Sequence, residues 1–350
     1  MEVTQTSRTP AHEIIATVAP FRAWRGSQLI IARGPIWVTR NLSWQTGTRI
    51  ICNPCSGYNQ SPVTGDFADL FSACAQARGI QVPYWIQNIL MQCVDVMFAV
   101  WPQQVPIRNA LEKCKIVSHR GEHDNLSLYE NTLAAFDKVL EHGIWGTECD
   151  VRWTRDLVPV ILHDSSGQRV FGKRLDINQV DFHQLRKELP LVPTLAEVLD
   201  RYGGKLHLMI ELKEEDYPDP QEQKQILREQ FSKLTPGRDY HFLSLHPDLF
   251  QWVDFAPASA CYPVSETNVA AMSEISIERS LGGLTGHFLF LNDRLKHRHE
   301  LAGQTIGTGF INSRNCLFRE LNRGIEWIFT DHAVQLQKVR DDLLSAAPPP

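Results

Sequence analysis

The chain has 350 residues, of which 43% are hydrophobic and 21% charged, and its formal net charge is -5. That length can bury a sizeable core in one large domain plus a smaller one, and the composition is that of an ordinary soluble globular protein. The mildly acidic balance argues against a nucleic-acid partner, which would need a basic patch.

Residues 1–10 are polar and carry no apolar run behind their charges, so no secretory signal is expected and the reading is cytoplasmic. The 8 cysteines fall at irregular spacings, which fits reduced thiols better than a disulfide framework. Cys52 and Cys55 make a C-x-x-C without a second pair at zinc-ribbon spacing, so ordinary thiols outweigh a structural zinc.

Residues 1–112 read as a small mixed α+β region. Short strands are expected at 27–31, 34–38 and 49–52, and helices at 66–77 and 83–101. The most apolar window, 89–101, is too short to span a bilayer and contains Asp95. A buried or interfacial helix is the better reading: no transmembrane segment, with peripheral membrane contact left open.

Pro106 disfavours helix before it, which puts a boundary near 105–109. From Cys114 onward, short apolar strands alternate with amphipathic helices. Strands are expected at 116–118, 145–151, 159–163, 206–212, 241–245, 259–262, 284–291, 305–311 and 327–329. Helices are expected at 130–142, 194–202, 221–234, 267–275, 292–302 and 315–323. Repeated βα alternation over residues 113–342 favours an α/β fold, a (β/α)8 TIM barrel, over an open sheet. The count gives one strand more than eight. Residues 343–350, ending in three prolines, read as a disordered tail.

Chemistry collects at strand ends. The 116–118 strand runs into His119-Arg120, and the 159–163 strand ends at His163-Asp164. Glu148 and Asp150 are two apart on a strand and so share a face. Glu211 lies near the end of another apolar strand, with Lys213 two residues on. Three carboxylates at a barrel mouth would repel one another unless a divalent cation lay between them, and oxygen-only ligation suits Mg²⁺ or Ca²⁺. A lone E-x-D would be read as solvated acids; the third carboxylate weakens that reading. A single strand-end histidine is more often structural, but two flanking the acidic strand can divide general acid and base roles. Arg120 and Lys213 add fixed positive charge suited to phosphate oxygens.

These residues carry a resemblance to a family. His119-Arg120-Gly121, Tyr129-Glu130-Asn131-Thr132, Glu148-Cys149-Asp150-Val151, His163-Asp164, Pro193-Thr194-Leu195, Glu211-Leu212-Lys213 and Phe329-Thr330-Asp331 follow in the order and spacing of the glycerophosphodiester phosphodiesterases. The chain resembles that family over residues 114–340. The resemblance implies a barrel of that type holding one divalent cation, Mg²⁺ or Ca²⁺, on Glu148, Asp150 and Glu211. It further implies His119 and His163 as the acid-base pair and Arg120 and Lys213 on the phosphate. The implied reaction is hydrolysis of a small-molecule glycerophosphodiester to glycerol phosphate and an alcohol. Two alternatives stand beside it: phospholipase D-like hydrolysis of lysophospholipids at the same site, and a non-catalytic regulatory or binding module.

The chain departs from the family pattern in places. Tyr129 stands where a proline is usual, and the segment after His163-Asp164 is short. The late-strand tryptophan that forms a substrate wall is absent; Gly309-Phe310-Ile311-Asn312 occupies that stretch, leaving Phe310 and Asn312 as candidates for the wall. More faintly, residues 41–44, 47–51 and 65–70 resemble the C-lobe of small-molecule phosphotransferases, without the aspartates such a kinase uses as base and metal ligand. The sequence leaves the oligomeric state open.

Overall fold

The computed structural model describes residues 96–346 and, before them, the backbone of four short strands. The chain divides into two compact units, Met1–Leu70 and Phe71–Pro350. In the first, β1 (Ile31–Ala32), β2 (Ile36–Val38), β3 (Ile50–Cys52) and β4 (Val63–Gly65) form one antiparallel sheet in sequential order. The strands expected at 27–31, 34–38 and 49–52 each overlap one of these. The helix expected at 66–77, Cys55, and the phosphotransferase-like stretch apart from β3 and Gly65 lie outside the described residues. Of the helix expected at 83–101, residues 96–100 are helical and the earlier part lies outside them.

The second unit is a closed parallel barrel. β5 (Lys115–Ser118) pairs with β6 (Gly146–Trp153), and β6 pairs with β8 (His207–Leu212). The ring continues through β9 (Tyr240–Ser244), β10 (Cys261–Ser265), β11 (Gly283–His287), β12 (Thr305–Gly309) and β13 (Trp327–Thr330), which returns to β5. All eight run parallel, and their residues are buried almost throughout, as in strands covered on both faces.

The surplus strand is β7 (Pro159–Ile161), which pairs antiparallel with β6 and stands outside the ring. A tight turn makes it so. Thr154 N donates to Val158 O, Thr154 Oγ1 donates to Asp156 Oδ1, and Leu157 adopts φ 59°. The chain therefore folds straight back on β6 instead of crossing over to the next barrel position. Residues between β7 and Val192 form a satellite. It comprises α3 (Gln168–Phe171), α4 (Phe182–Glu188) and their turns, packed around Val160, Leu162, Ile177, Val180, Leu185 and Leu189.

The other helices, numbered in chain order, are α1 (Arg108–Lys113), α2 (Leu133–Glu141), α5 (Leu195–Tyr202), α6 (Pro220–Gln230), α7 (Val269–Glu278), α8 (Asp293–Leu301), α9 (Arg314–Asn322) and α10 (Ala333–Ser345). Between β9 and β10 the crossover is made of 3₁₀ turns, not an α-helix. α2 buries an apolar stripe of Ala135, Phe136 and Val139.

α2 begins later than the periodicity predicts. Thr132 caps it by accepting from Ala135 N, so Glu130 and Asn131 sit in the preceding loop. α10 carries helix through Ser345, with Leu343 and Leu344 on the core, so residues 343–345 are not a disordered tail. Phe98 packs edge-on to Phe288, and Arg108 Nη1 donates to Leu344 O, which fixes the stretch ahead of β5 to the barrel. No helix among the described residues is long and apolar enough to cross a membrane.

Inside the barrel, Val117, Met209, Leu243, Tyr262, Trp327 and Phe329 fill the centre. At the end where the strands begin, His207 stacks on Trp145 with ring centroids 4.1 Å apart, and its Nε2 lies 2.7 Å from His241 Nδ1. His207 Nδ1 faces the Arg238 carbonyl at 3.0 Å. A carbonyl only accepts, so His207 donates there and accepts from His241; both rings are neutral. Burial depresses the two pKa values to about 4 for His207 and about 3 for His241. The opposite end, where the strands finish, is polar.

Candidate active site

The side chains at the polar end arrive there through strand register. Glu148 and Asp150 face inward from β6, and Asp150 lies directly beside Glu211 of β8 in the ladder. Carboxylate oxygens of Glu148, Asp150 and Glu211 come within 4.8 Å of one another. His119 is the first residue beyond β5 and Asp331 the first beyond β13, strands that end side by side at Ser118 and Thr330. His163 follows Leu162, whose N–H donates to Asp150 O and so holds that strand end against β6.

Positive groups are threaded between the acids. Lys213 Nζ lies 2.8 Å from Asp150 Oδ1 and donates to Glu211 Oε1. The Arg120 backbone N–H donates to Glu148 Oε2 at 3.1 Å, while its guanidinium donates to Glu130 Oε1 at 3.1 Å and lies 3.4 Å from Asp150 Oδ2. Asn131 Nδ2 donates to Asp150 Oδ2 at 2.7 Å. Arg120 and Asn131 both hold left-handed backbone conformations, φ 57° and 56°, unusual for non-glycine residues. Phe310, at φ 63°, is a third on the same rim. Such conformations cost free energy and persist only where surrounding structure enforces them.

The three acids do not share one electrostatic condition. Burial pushes Glu148 well up, and the neighbouring Asp150 and Glu211 charges add to that. Burial also raises Glu211, and Lys213 offsets this only in part. Burial acts on Asp150 in the same sense, but Lys213 and Arg120 outweigh it and hold that carboxyl below its usual range. Glu148 Oε1 is buried with no hydrogen-bond partner. An orphaned carboxylate oxygen beside two further buried acids is the environment a hard cation satisfies, and an all-oxygen donor set fits Mg²⁺ or Ca²⁺.

Each histidine is braced by an aspartate. His119 Nδ1 lies 2.7 Å from Asp331 Oδ1, and Asp331 in turn accepts from Asn312 Nδ2 at 2.9 Å. His163 Nδ1 lies 2.6 Å from Asp164 Oδ1. A carboxylate only accepts, so both rings carry hydrogen on Nδ1 and leave Nε2 free to exchange a proton. His119 Nε2 points toward Glu148, 3.9 Å from its Oε2. Burial lowers the His163 pKa against the pull of Asp150. Asn312 thus supports Asp331 from behind, whereas Phe310 stays 46% exposed, stacked on His287 with centroids 5.3 Å apart and 6.0 Å from the His119 ring.

The structure brings His119, Arg120, Glu148, Asp150, His163, Glu211 and Lys213 to one end of one barrel. Sequence reasoning gave no role to Glu130, Asn131, Asp164, Arg169 or Asp331. Four of these stand inside the motif stretches quoted above, and that placement was the available signal. Arg169 stands in none of them.

The fold and the site together define a (β/α)8 barrel with a carboxylate-rich, cation-ready mouth at the ends of its strands, where barrels of this class carry their chemistry. Residues 119–270 match the model of the Glycerophosphoryl diester phosphodiesterase family. The curated Glycerophosphodiester phosphodiesterase 1 of Rattus norvegicus is 34% identical over 117 residues, covering 28% of this chain and 34% of that protein. The Glycerophosphodiester phosphodiesterase of Caldanaerobacter subterraneus subsp. tengcongensis is 31% identical over 113 residues, covering 29% of this chain and 46% of that protein. The chain thus spans less than half the length of these relatives. Among solved structures, an Oleispira antarctica phosphodiesterase in complex with sn-glycerol-3-phosphate aligns at TM-score 0.56 with 22% identity, over 66% of this chain and 99% of that one. The glycerophosphodiester phosphodiesterase of Thermotoga maritima aligns at 0.55 with 22% identity, over 65% and 98%. At that identity the two structures speak for the fold alone.

Proposed function

We propose that the barrel, residues 113–342, hydrolyses glycerophosphodiesters to glycerol phosphate and an alcohol with the aid of one divalent cation. Glu148, Asp150 and Glu211 would hold the cation, Mg²⁺ or Ca²⁺, which supplies Lewis-acid charge neutralisation to the phosphate. Arg120 and Lys213 take phosphate oxygens. One of His119 and His163 removes a proton from the attacking oxygen at Nε2 while the other protonates the departing alkoxide as its P–O bond breaks. The observation that carries this reading is the pair of aspartate-braced imidazoles beside a cluster of three carboxylates with an orphaned oxygen.

Exposed Phe310, on the same rim as His119, offers apolar surface to an acyl chain on the glycerol and keeps a lysophospholipid in view as substrate. The test is release of glycerol phosphate from glycerophosphocholine, run beside a lysophospholipid, with and without chelator. Turnover should need added Mg²⁺ or Ca²⁺, and His119→Ala should lower kcat by roughly 10²–10⁴ with folding intact. Turnover indifferent to chelator, or near-wild-type turnover by His119→Ala, would sink the proposal. Binding of either ester with no hydrolysis under any cation would instead favour the binding-module reading.

A further inference from the structure

Arg169 sits outside every motif noted above, on the short α3 helix of the satellite, with its side chain 45% exposed. An exposed arginine is ordinarily a surface ion pair of little consequence. This one is different in what it joins. Its Nη1 and Nη2 donate to Glu130 Oε2 and Oε1 at 2.9 and 2.5 Å, a two-pronged grip. Its Nε donates to Asp164 Oδ2 at 2.6 Å. Glu130 also accepts from Arg120 Nη1, and Asp164 is the acceptor for His163 Nδ1. One guanidinium therefore ties together the two loops that carry Arg120 and His163.

The neighbours make the grip firm. Glu130 is only 2% exposed and also accepts from Asn125 Nδ2 at 2.7 Å, so losing Arg169 would leave this buried carboxylate one donor on each oxygen and one facing cation fewer. Phe171, two residues from Arg169, packs on Tyr129, the residue before Glu130, with ring centroids 5.5 Å apart. Gly172 ends the helix at φ 68°. A ring contact and one arginine thus join the satellite to the site.

We propose that Arg169 is a positioning residue: it sets the His163 ring through Asp164 and the Arg120 guanidinium through Glu130, without touching substrate. Its effect on turnover rests on the phosphodiesterase reading above. Arg169→Ala should lose between about tenfold and a hundredfold in kcat, the scale of a small misplacement of reacting groups, with a smaller rise in KM from the displaced Arg120. Added guanidinium ion should restore part of the loss. Arg169→Lys should stay impaired, because one ammonium cannot fork to both carboxylates; it also serves as the working variant if alanine prevents folding. Wild-type kcat in both variants, or a loss confined to KM, would overturn the proposal.

A second measurement does not depend on hydrolysis. The His163 Nδ1 proton, held by Asp164, should give a downfield proton NMR signal in the wild-type protein, assigned by its absence from His163→Asn. Its loss in Arg169→Ala upholds the positioning role; its persistence unchanged overturns it. If the wild-type protein hydrolyses no phosphodiester, the functional reading falls while the NMR result still judges Arg169.

Discussion

Of the three clustered carboxylates, Glu148 is the least provided for. Asp150 and Glu211 both face the Lys213 ammonium, whereas Glu148 takes one backbone N–H and keeps an unpartnered oxygen. Removing its charge should therefore have opposite consequences for the metal-free and the loaded protein. Glu148→Gln keeps an acceptor for the Arg120 N–H and removes a carboxyl whose ionised form burial and two neighbouring acids disfavour, so the metal-free variant should melt no lower than wild type. Saturating Mg²⁺ or Ca²⁺, near a hundred times the dissociation constant, should stabilise the wild type by about 2.7 kcal/mol. That is a rise of roughly 5–10 °C for a domain of this size. The variant should show little rise. Calorimetry with and without cation checks both halves, and an equal cation-induced rise in the two proteins would remove Glu148 from the ligand set.

At the scale of elements, what could be read in the sequence was what is local. The carboxylates and histidines were legible because strands put alternate residues on one face and end in the open. The α5 helix was legible from Thr194 to Gly203, where the structure has a full capping box: Thr194 Oγ1 accepts from Glu197 N and the Glu197 carboxylate accepts from Thr194 N. β7 could not be singled out as the surplus strand because an apolar run does not announce which neighbour it pairs with; the Leu157 turn decides that. Glu130 and Asn131 were absorbed into α2 because helical spacing continues past a cap. Their aim at the site depends on the left-handed Asn131 and Arg120, which periodicity does not report. Arg169 was invisible because its two partners are 39 and 5 residues away along the chain and meet only in the fold.

The capping box also gives a prediction at this scale. Thr194→Ala should cost about 1 kcal/mol, read as a lower urea midpoint with unchanged slope, while Thr194→Ser should stay close to wild type. An alanine variant as stable as the parent would mean that packing alone holds α5.

For the whole molecule, the buried His207–His241 pair makes acid a threat to the barrel. Both pKa values lie below the ordinary 6.5, so the stability they contribute is complete above about pH 6.5 and is lost as pH falls through about 4 and about 3. The loss between pH 7 and pH 5 should be on the order of 2 kcal/mol for one such histidine. Glu215 works in the reverse sense. Burial, offset only in part by Arg152, raises it to about 7, and its contribution is present at low pH and is lost as pH rises from about 4.5 through 7. The clean observable is therefore a difference. The gap in melting temperature between pH 7 and pH 5 should shrink in His207→Gln relative to wild type, even if the variant is less stable at both. An unchanged gap would show that the pair does not sense acid.

β8 presents His207 at the closed floor of the barrel and Glu211 toward its open rim. At about 3.3 Å per residue the two are separated by roughly 13 Å along a single stave. Acid tolerance and turnover are consequently set at opposite ends of the same four-residue step. A relative living in sour surroundings can exchange the imidazoles below and leave every reacting group above where it stands.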